Sequence, residues 1–444
     1  MRVLLLELVE LIEVASQGAG VPTVAGALRG NFNQLNKLKQ QHPHLQTLIS
    51  IGGWTWSDHF SDIAATEAAR DKFVSSAVTF MDQYGFNGID VDWEYPVGGG
   101  EAGNSNRPED RQNYTLLMGE FREQLDALEA QTGEDYLLTI AAGAGLSHLN
   151  NLELPNLVEH LDWINVMSYD YAGAWTSHTG FNSPLYHANG DPLGAQTNVH
   201  ASLSHVLNSG VPSDKIVMGG PFYGRGWQGV PSANNGLFQS HTGVPQGTWE
   251  PGNFDYDDLK ENYLPTYTRY WHDEAQVPWL YNPATGIMIS YDDPESLGIK
   301  SQYIVDNNFG GMMFWELSGD DDQSSLLTSI YDTFNPAPAA RSISPDAESV
   351  TYVMSPTLTT SDDEPVLTLT QTPVAESLAP ASPQRFRRES ARPRVDDGPR
   401  ERRTVTRDDG DRRARTTAVA DNSGTVETSA VLDAVFKQLV AFDN

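Results

Sequence analysis

Apolar residues fall into two rhythms that alternate over the first three quarters of the chain. Short runs at 45–52, 86–93, 136–142, 162–169, 215–222 and 310–315 are apolar, or alternate apolar with polar, which predicts strands. Between them, 31–43, 66–84 and 113–132 read as amphipathic helices. Strands and helices in alternation build a parallel sheet wrapped by helices. The predicted fold class is therefore α/β, a (β/α)8 barrel with its active residues at strand ends. Six strands are found where such a barrel has eight. The N-terminal strands read as missing or divergent, because residues 1–29 offer at most one poor substitute. Residues 1–15 are apolar but interrupted by Glu7, Glu10 and Glu13 at helical spacing, which fits an amphipathic helix better than a secretory leader. No segment predicts a membrane span.

About 85 residues separate 222 from 310, too many for a loop. A small α+β insertion at 227–290 is expected inside a barrel domain of 30–335. It includes a hairpin, 279–281 with 287–291, across the turn Asn282-Pro283-Ala284-Thr285-Gly286. After 335 the pattern dissolves. Residues 336–383 are rich in Pro, Ser, Thr and Ala, and 385–415 pack twelve arginines among Asp and Glu. The whole of 336–420 is expected to be disordered, followed by a short amphipathic helix in 421–444.

Charge sharpens this division. Residues 1–335 hold 42 Asp and Glu against 14 Lys and Arg, whereas 336–444 hold 17 against 14. The folded part is the acidic part, so nucleic acid is not an expected partner of the barrel. With only seven lysines in the chain, the surface reads as that of a salt-adapted protein, the alternative being an ordinary acidic one. Cysteine is absent, which excludes disulfides and thiolate metal sites. His148, His178, His187 and the other histidines show no metal-ligand spacing; they read as surface or structural, and no metal or cofactor is expected.

The chemistry concentrates at 86–96, FNGIDVDWEYP. Asp90, Asp92 and Glu94 alternate with Ile89, Val91 and Trp93, so the carboxylates share one face of a strand and the apolar residues share the other. Like charges crowded away from water raise at least one pKa, and a carboxyl kept protonated can serve as a general acid. Glu94, nearest the strand's end, is the candidate. The competing reading is an edge strand whose polar face meets water. All ten tryptophans precede residue 316, and several fall at predicted strand ends, where aromatic faces can stack on sugar rings. Trp163 reads as core; for Trp54 and Trp93, core and cleft both stand.

These residues carry a resemblance. The run at 86–96 resembles the DxxDxDxE signature of family 18 glycoside hydrolases, the bacterial-type chitinases, with Asn87 where the family has its first Asp. SIGGWTWS (50–57), NVMSYDYAGAW (165–175), PFYGRGW (221–227), GTWE (247–250) and GGMMFWELSGD (310–320) follow in the family's order. The resemblance implies a (β/α)8 barrel with a chitinase insertion, and a chitinase that cleaves β-1,4 bonds between N-acetylglucosamine units with retention. In that family the substrate's acetamido oxygen attacks, giving an oxazolinium ion. Carried over by position, Glu94 is acid and then base, Asp92 orients the acetamido group, Asp90 shares a proton with Asp92, and Tyr169 hydrogen-bonds the acetamido oxygen. Trp54, Tyr95, Asp170, Trp175, Tyr223, Arg225 and Glu250 are implied to contact sugar, with Trp315 as the floor. The implied partners are chitin and chitooligosaccharides, met outside the cell by a monomer that engages no membrane. An endo-β-N-acetylglucosaminidase acting on N-glycans, and a non-catalytic chitin-binding lectin, are the alternatives.

Overall fold

The computed structural model describes residues 30–336 and, by backbone alone, two strands at 352–361 and 364–373. These fall into two separate units. The expectations for residues 1–29 and 421–444 lie outside the described residues.

In the first unit, β1 (Leu48–Gly52), β2 (Gly88–Asp92), β3 (Leu137–Gly143), β4 (Trp163–Met167), β5 (Ile216–Pro221) and β11 (Gly311–Trp315) form one parallel sheet, each pairing with the next in that order. All six predicted strands are present within two or three residues of their expected ends. They are the strands of a (β/α)8 barrel that lie among the described residues. Its helices include α1 (Gly30–Gln41), α2 (Phe60–Ala64), α3 (Glu67–Tyr84), α4 (Asp110–Thr132), α5 (Val199–Asn208), α6 (Pro294–Asn307) and α7 (Ser325–Phe334).

Alternation within each strand divides the barrel. Ile49, Ile89, Val91, Leu138, Ile140, Ile164, Val166 and Ile216 face the helices and pack with Val74, Met81, Tyr114, Leu117 and Phe121 in one buried cluster. Each fully buried aliphatic or aromatic side chain contributes about 1.5–3 kcal/mol. Trp93 belongs to this cluster. Its ring stacks on Phe60 and meets Tyr114 edge-on at a centroid distance of 5.2 Å, so of its two readings the core reading holds. The opposite, inward face is polar. Ser50, Asp90 and Thr139 lie level across β1, β2 and β3 by strand register.

The insertion is a five-stranded antiparallel sheet in the order β7 (Asn253–Asp255), β6 (Tyr223–Trp227), β10 (Ile287–Ser290), β9 (Val277–Asn282) and β8 (Thr268–His272). It begins at Tyr223 rather than at the expected 227. Only Phe222 separates β5 from β6, and Tyr223 already pairs with Asp255. The expected hairpin is β9 with β10.

In the second unit, Tyr352–Ser361 pairs antiparallel with Glu364–Pro373, inside a segment expected to be disordered. The pairing has a local cause. The two runs are rich in Thr, Val and Leu, good strand formers.

Candidate active site

The inward face of β2 carries Asp90 and Asp92, and the chain leaves the strand just before Glu94. Asp90 is 1 % exposed and takes three hydrogen bonds: from Ser50 Oγ on β1 (2.8 Å), Thr139 Oγ1 on β3 (2.5 Å) and Asn165 Nδ2 on β4 (3.2 Å). Trp163 Nε1 donates to Asn165 Oδ1 at 3.0 Å, which turns the Asn165 amide so that its NH2 faces Asp90. Burial lifts the Asp90 carboxyl above its ordinary value, and the three hydrogen bonds oppose that. Asp92, also buried, lies one step nearer the mouth. Its carbonyl accepts from Gly53 N (2.7 Å) and Ser57 Oγ (3.2 Å). Gly52 makes this approach possible: at φ +122° a Cβ there would stand 2.0 Å from the Asp92 carbonyl oxygen.

Glu94 is fixed through its backbone, with N donating to Ser57 Oγ (2.8 Å) and O accepting from Asn104 Nδ2 (3.1 Å). Its carboxyl titrates above the ordinary range. Burial is the main cause, the negative charge of Asp170 adds to it, and a hydrogen bond from Tyr95 works against it. The expectation of crowded like charges thus holds only as a secondary effect, and Asp170 is the charge that supplies it. Tyr95 is the meeting point of the acids, since its hydroxyl feels Glu94, Asp92 and Asp170. Its ring lies flat on His148 at a centroid distance of 4.0 Å. Gly143 at the end of β3 leaves room for the pair; a Cβ there would come within 2.7 Å of both rings.

Asp170 opens the far wall. Tyr223 Oη donates to its Oδ1 (2.8 Å), and Arg225 binds it twice, Nε to Oδ1 and Nη2 to Oδ2, both at 2.7 Å. Arg225 also lies 3.7 Å from Glu250 and over the rings of Trp175 and Tyr223, at 5.4 and 5.1 Å. Tyr169 precedes Asp170, meets Tyr223 edge-on and directs its hydroxyl to Met313 Sδ on β11. The structure thus joins Glu94, Tyr95, Asp170, Tyr223, Arg225, Trp175 and Glu250 in one continuous cluster. Trp54, 49 % exposed, stands just past β1, and Trp315, 37 % exposed, ends β11. Exposure supports the cleft reading of Trp54.

Asn87 lies outside this network. Its Oδ1 accepts from Lys39 Nζ (2.7 Å) and Thr47 N (3.1 Å), so the missing charge of the signature belongs to a brace below the strand. Sequence reasoning missed Thr139, Asn165, His148 and Trp249. The last is 84 % exposed and donates from Nε1 to Asp255 Oδ2. Thr139 and Asn165 had a signal: each is a polar side chain in an otherwise buried strand. No group of three or more His, Asp or Glu suited to a metal occurs among the described residues.

A parallel barrel whose inward strand face carries buried carboxylates toward an acid at its mouth, under exposed tryptophans, is the framework of a carbohydrate-cleaving hydrolase. Residues 11–320 match the profile described as Glycosyl hydrolases family 18, and the chain belongs to that family. It is 53 % identical over 305 residues to chitinase A1 of Niallia circulans, across 67 % of this chain and 44 % of that protein. Chitinase 1 of Aphanocladium album is 38 % identical over 302 residues, 68 % of each chain. Among solved structures, chitinase ChiA74 from Bacillus thuringiensis superposes with a TM-score of 0.67 at 40 % identity, covering 77 % of this chain and 58 % of its own. The chain thus spans less than two thirds of the first and third of these relatives.

Proposed function

We propose that this protein is a chitinase that hydrolyses β-1,4 bonds between N-acetylglucosamine units with retention, the substrate's own acetamido group serving as nucleophile. The observation that carries the reading is the line of carboxylates rising from buried Asp90 through Asp92 to Glu94, whose pKa is raised. Glu94 gives its proton to the glycosidic oxygen as that bond breaks. The acetamido oxygen bonds to the anomeric carbon from the opposite face, forming a cyclic oxazolinium ion. Glu94, now a carboxylate, takes a proton from water, and the water opens the ring. Asp92 holds the acetamido N–H, and Asp90, fixed by its three donors, shares a proton with Asp92. Tyr169 steadies the acetamido oxygen for attack. Trp315 forms the floor of the subsite, and Trp54, Tyr95, Asp170, Trp175, Tyr223, Arg225 and Glu250 line the cleft. A polymeric substrate favours an extracellular setting and chitin binding by a monomer.

The test compares oligomers of N-acetylglucosamine with their deacetylated counterparts, in the presence and absence of a thiazoline mimic of the intermediate. Hydrolysis of the acetylated oligomers alone, inhibition by the thiazoline, and loss of turnover in Glu94→Gln with binding retained are expected. Equal rates on both oligomers would exclude substrate assistance. Turnover persisting in Glu94→Gln would remove the acid.

A further inference from the structure

Asp170 adopts φ +59°, a left-handed conformation that residues other than glycine rarely hold without help. Help comes from a residue the reaction scheme does not use. Asn182 is fully buried in the segment between β4 and α5, and all four of its polar groups are engaged. Its Oδ1 accepts from the Asp170 backbone N–H (2.9 Å), and its Nδ2 donates to the Tyr223 carbonyl (3.2 Å). Its own N–H donates to Ser290 Oγ (2.8 Å), and its carbonyl accepts from Tyr171 N (3.1 Å). One side chain therefore meets a donor on the barrel wall and an acceptor on the insertion. Asparagine can satisfy both at this reach, whereas aspartate lacks the donor and leucine lacks both groups.

The next residue anchors the brace. Ser183 Oγ donates to the Ser168 carbonyl (2.6 Å) and accepts from Lys300 Nζ (2.8 Å). The Lys300 side chain has no exposed surface and is paired with the equally buried Asp292, at 2.7 and 2.8 Å to its two oxygens. The segment Ser168-Tyr169-Asp170 is thus held from behind at both ends, by Ser183 at the first residue and Asn182 at the last.

We propose that Asn182 is a positioning residue, whose two-sided amide sets Asp170 and Tyr223 in register and thereby places the Tyr169 hydroxyl and the Arg225 clamp for the acetamido group of the substrate. The inference rests on the chitin-cleaving reading for its kinetic readout.

The test pairs Asn182→Ala with Arg122→Gln. Arg122 binds Asp126, Glu129 and the Tyr136 carbonyl ahead of β3, so its loss weakens the fold without touching the cleft. Asn182→Ala is expected to lower kcat on N-acetylglucosamine oligomers tenfold or more and to weaken thiazoline inhibition by a similar factor. Arg122→Gln, although less stable than wild type, keeps both within twofold. A folded Asn182→Ala protein with kcat and thiazoline affinity within twofold of wild type would overturn the proposal. Should Asn182→Ala not fold, Ser290→Ala decides in its place; it removes only the acceptor of the Asn182 N–H, and a fall in kcat of several-fold is expected, no change refuting the role. A crystal structure of the folded variant reads the same point without turnover: Asp170 should leave the left-handed region and lose its two-point contact with Arg225. If wild-type protein cleaves no such oligomer, the functional reading falls, and this structure still decides the role of Asn182.

Discussion

In the proposed reaction Glu94 gives up a proton and takes one back, which calls for a pKa near the working pH, and burial and two neighbours set it. Burial and Asp170 hold the proton on, while Tyr95 favours the carboxylate by donating a hydrogen bond to it. Tyr95→Phe removes the opposing contribution and leaves the others. The Glu94 pKa should then rise, and the alkaline limb of the kcat/KM profile, where the acid form is lost, should move to higher pH. A pH series on soluble oligomers measures this; an unmoved limb or one displaced downward would contradict it. The same raised pKa has a sign in folding. The folded protein holds this proton longer than the unfolded chain does, so the stability associated with the protonated carboxyl is complete below the ordinary glutamate value and is lost as pH rises through the folded one. The period-two pattern at 89–94 made these carboxylates visible in the sequence. It could not show that Trp93 is sealed against Phe60, nor that Asp170 would be the charge acting on Glu94. Both facts depend on residues distant along the chain.

Elements were legible where one face is apolar and the ends carry their own signals. Helix α3 is one case: Thr66 caps it by accepting from Ala69 N, and Gly85 ends it at φ +74°. Thr66→Ala should cost about 1 kcal/mol, seen as a drop of roughly 2–4 °C in Tm with kcat unchanged. A loss of activity at equal substrate affinity would mean that the cap reaches the site by a route the structure does not contain. The six barrel strands were equally plain, because each is a short, largely apolar run between helical segments. β6, β7 and β8 were not. They are three to five residues long, and β8 buries none of its residues fully, so their identity comes from pairing rather than composition. His148 and Asn182 escaped for a related reason. His148 lies in a four-residue helix, Leu146–Leu149, and Asn182 in a loop, both too short or irregular to show a periodic pattern, and only the folded chain sets one against Tyr95 and the other against Asp170.

At the scale of the whole molecule, charge dominates. Residues 1–335 carry a net charge of −28, and such self-repulsion opposes folding until counterions screen it. The screening length falls from about 10 Å at 0.1 M salt to about 3 Å at 1 M. Surface ion pairs contribute at most about 1 kcal/mol each, and acids outnumber bases threefold here. We therefore expect Tm to rise between low and molar NaCl in a fragment ending near Phe334, with activity retained; a flat or falling Tm would leave an ordinary acidic enzyme. The contact between Asp170 and Arg225 has another consequence at this scale. One partner belongs to the barrel and the other to β6 of the insertion. A chimera that borrowed the insertion of a distant cousin would graft in half of a clamp, and would keep the contact only if the borrowed insertion brought an arginine to the same place.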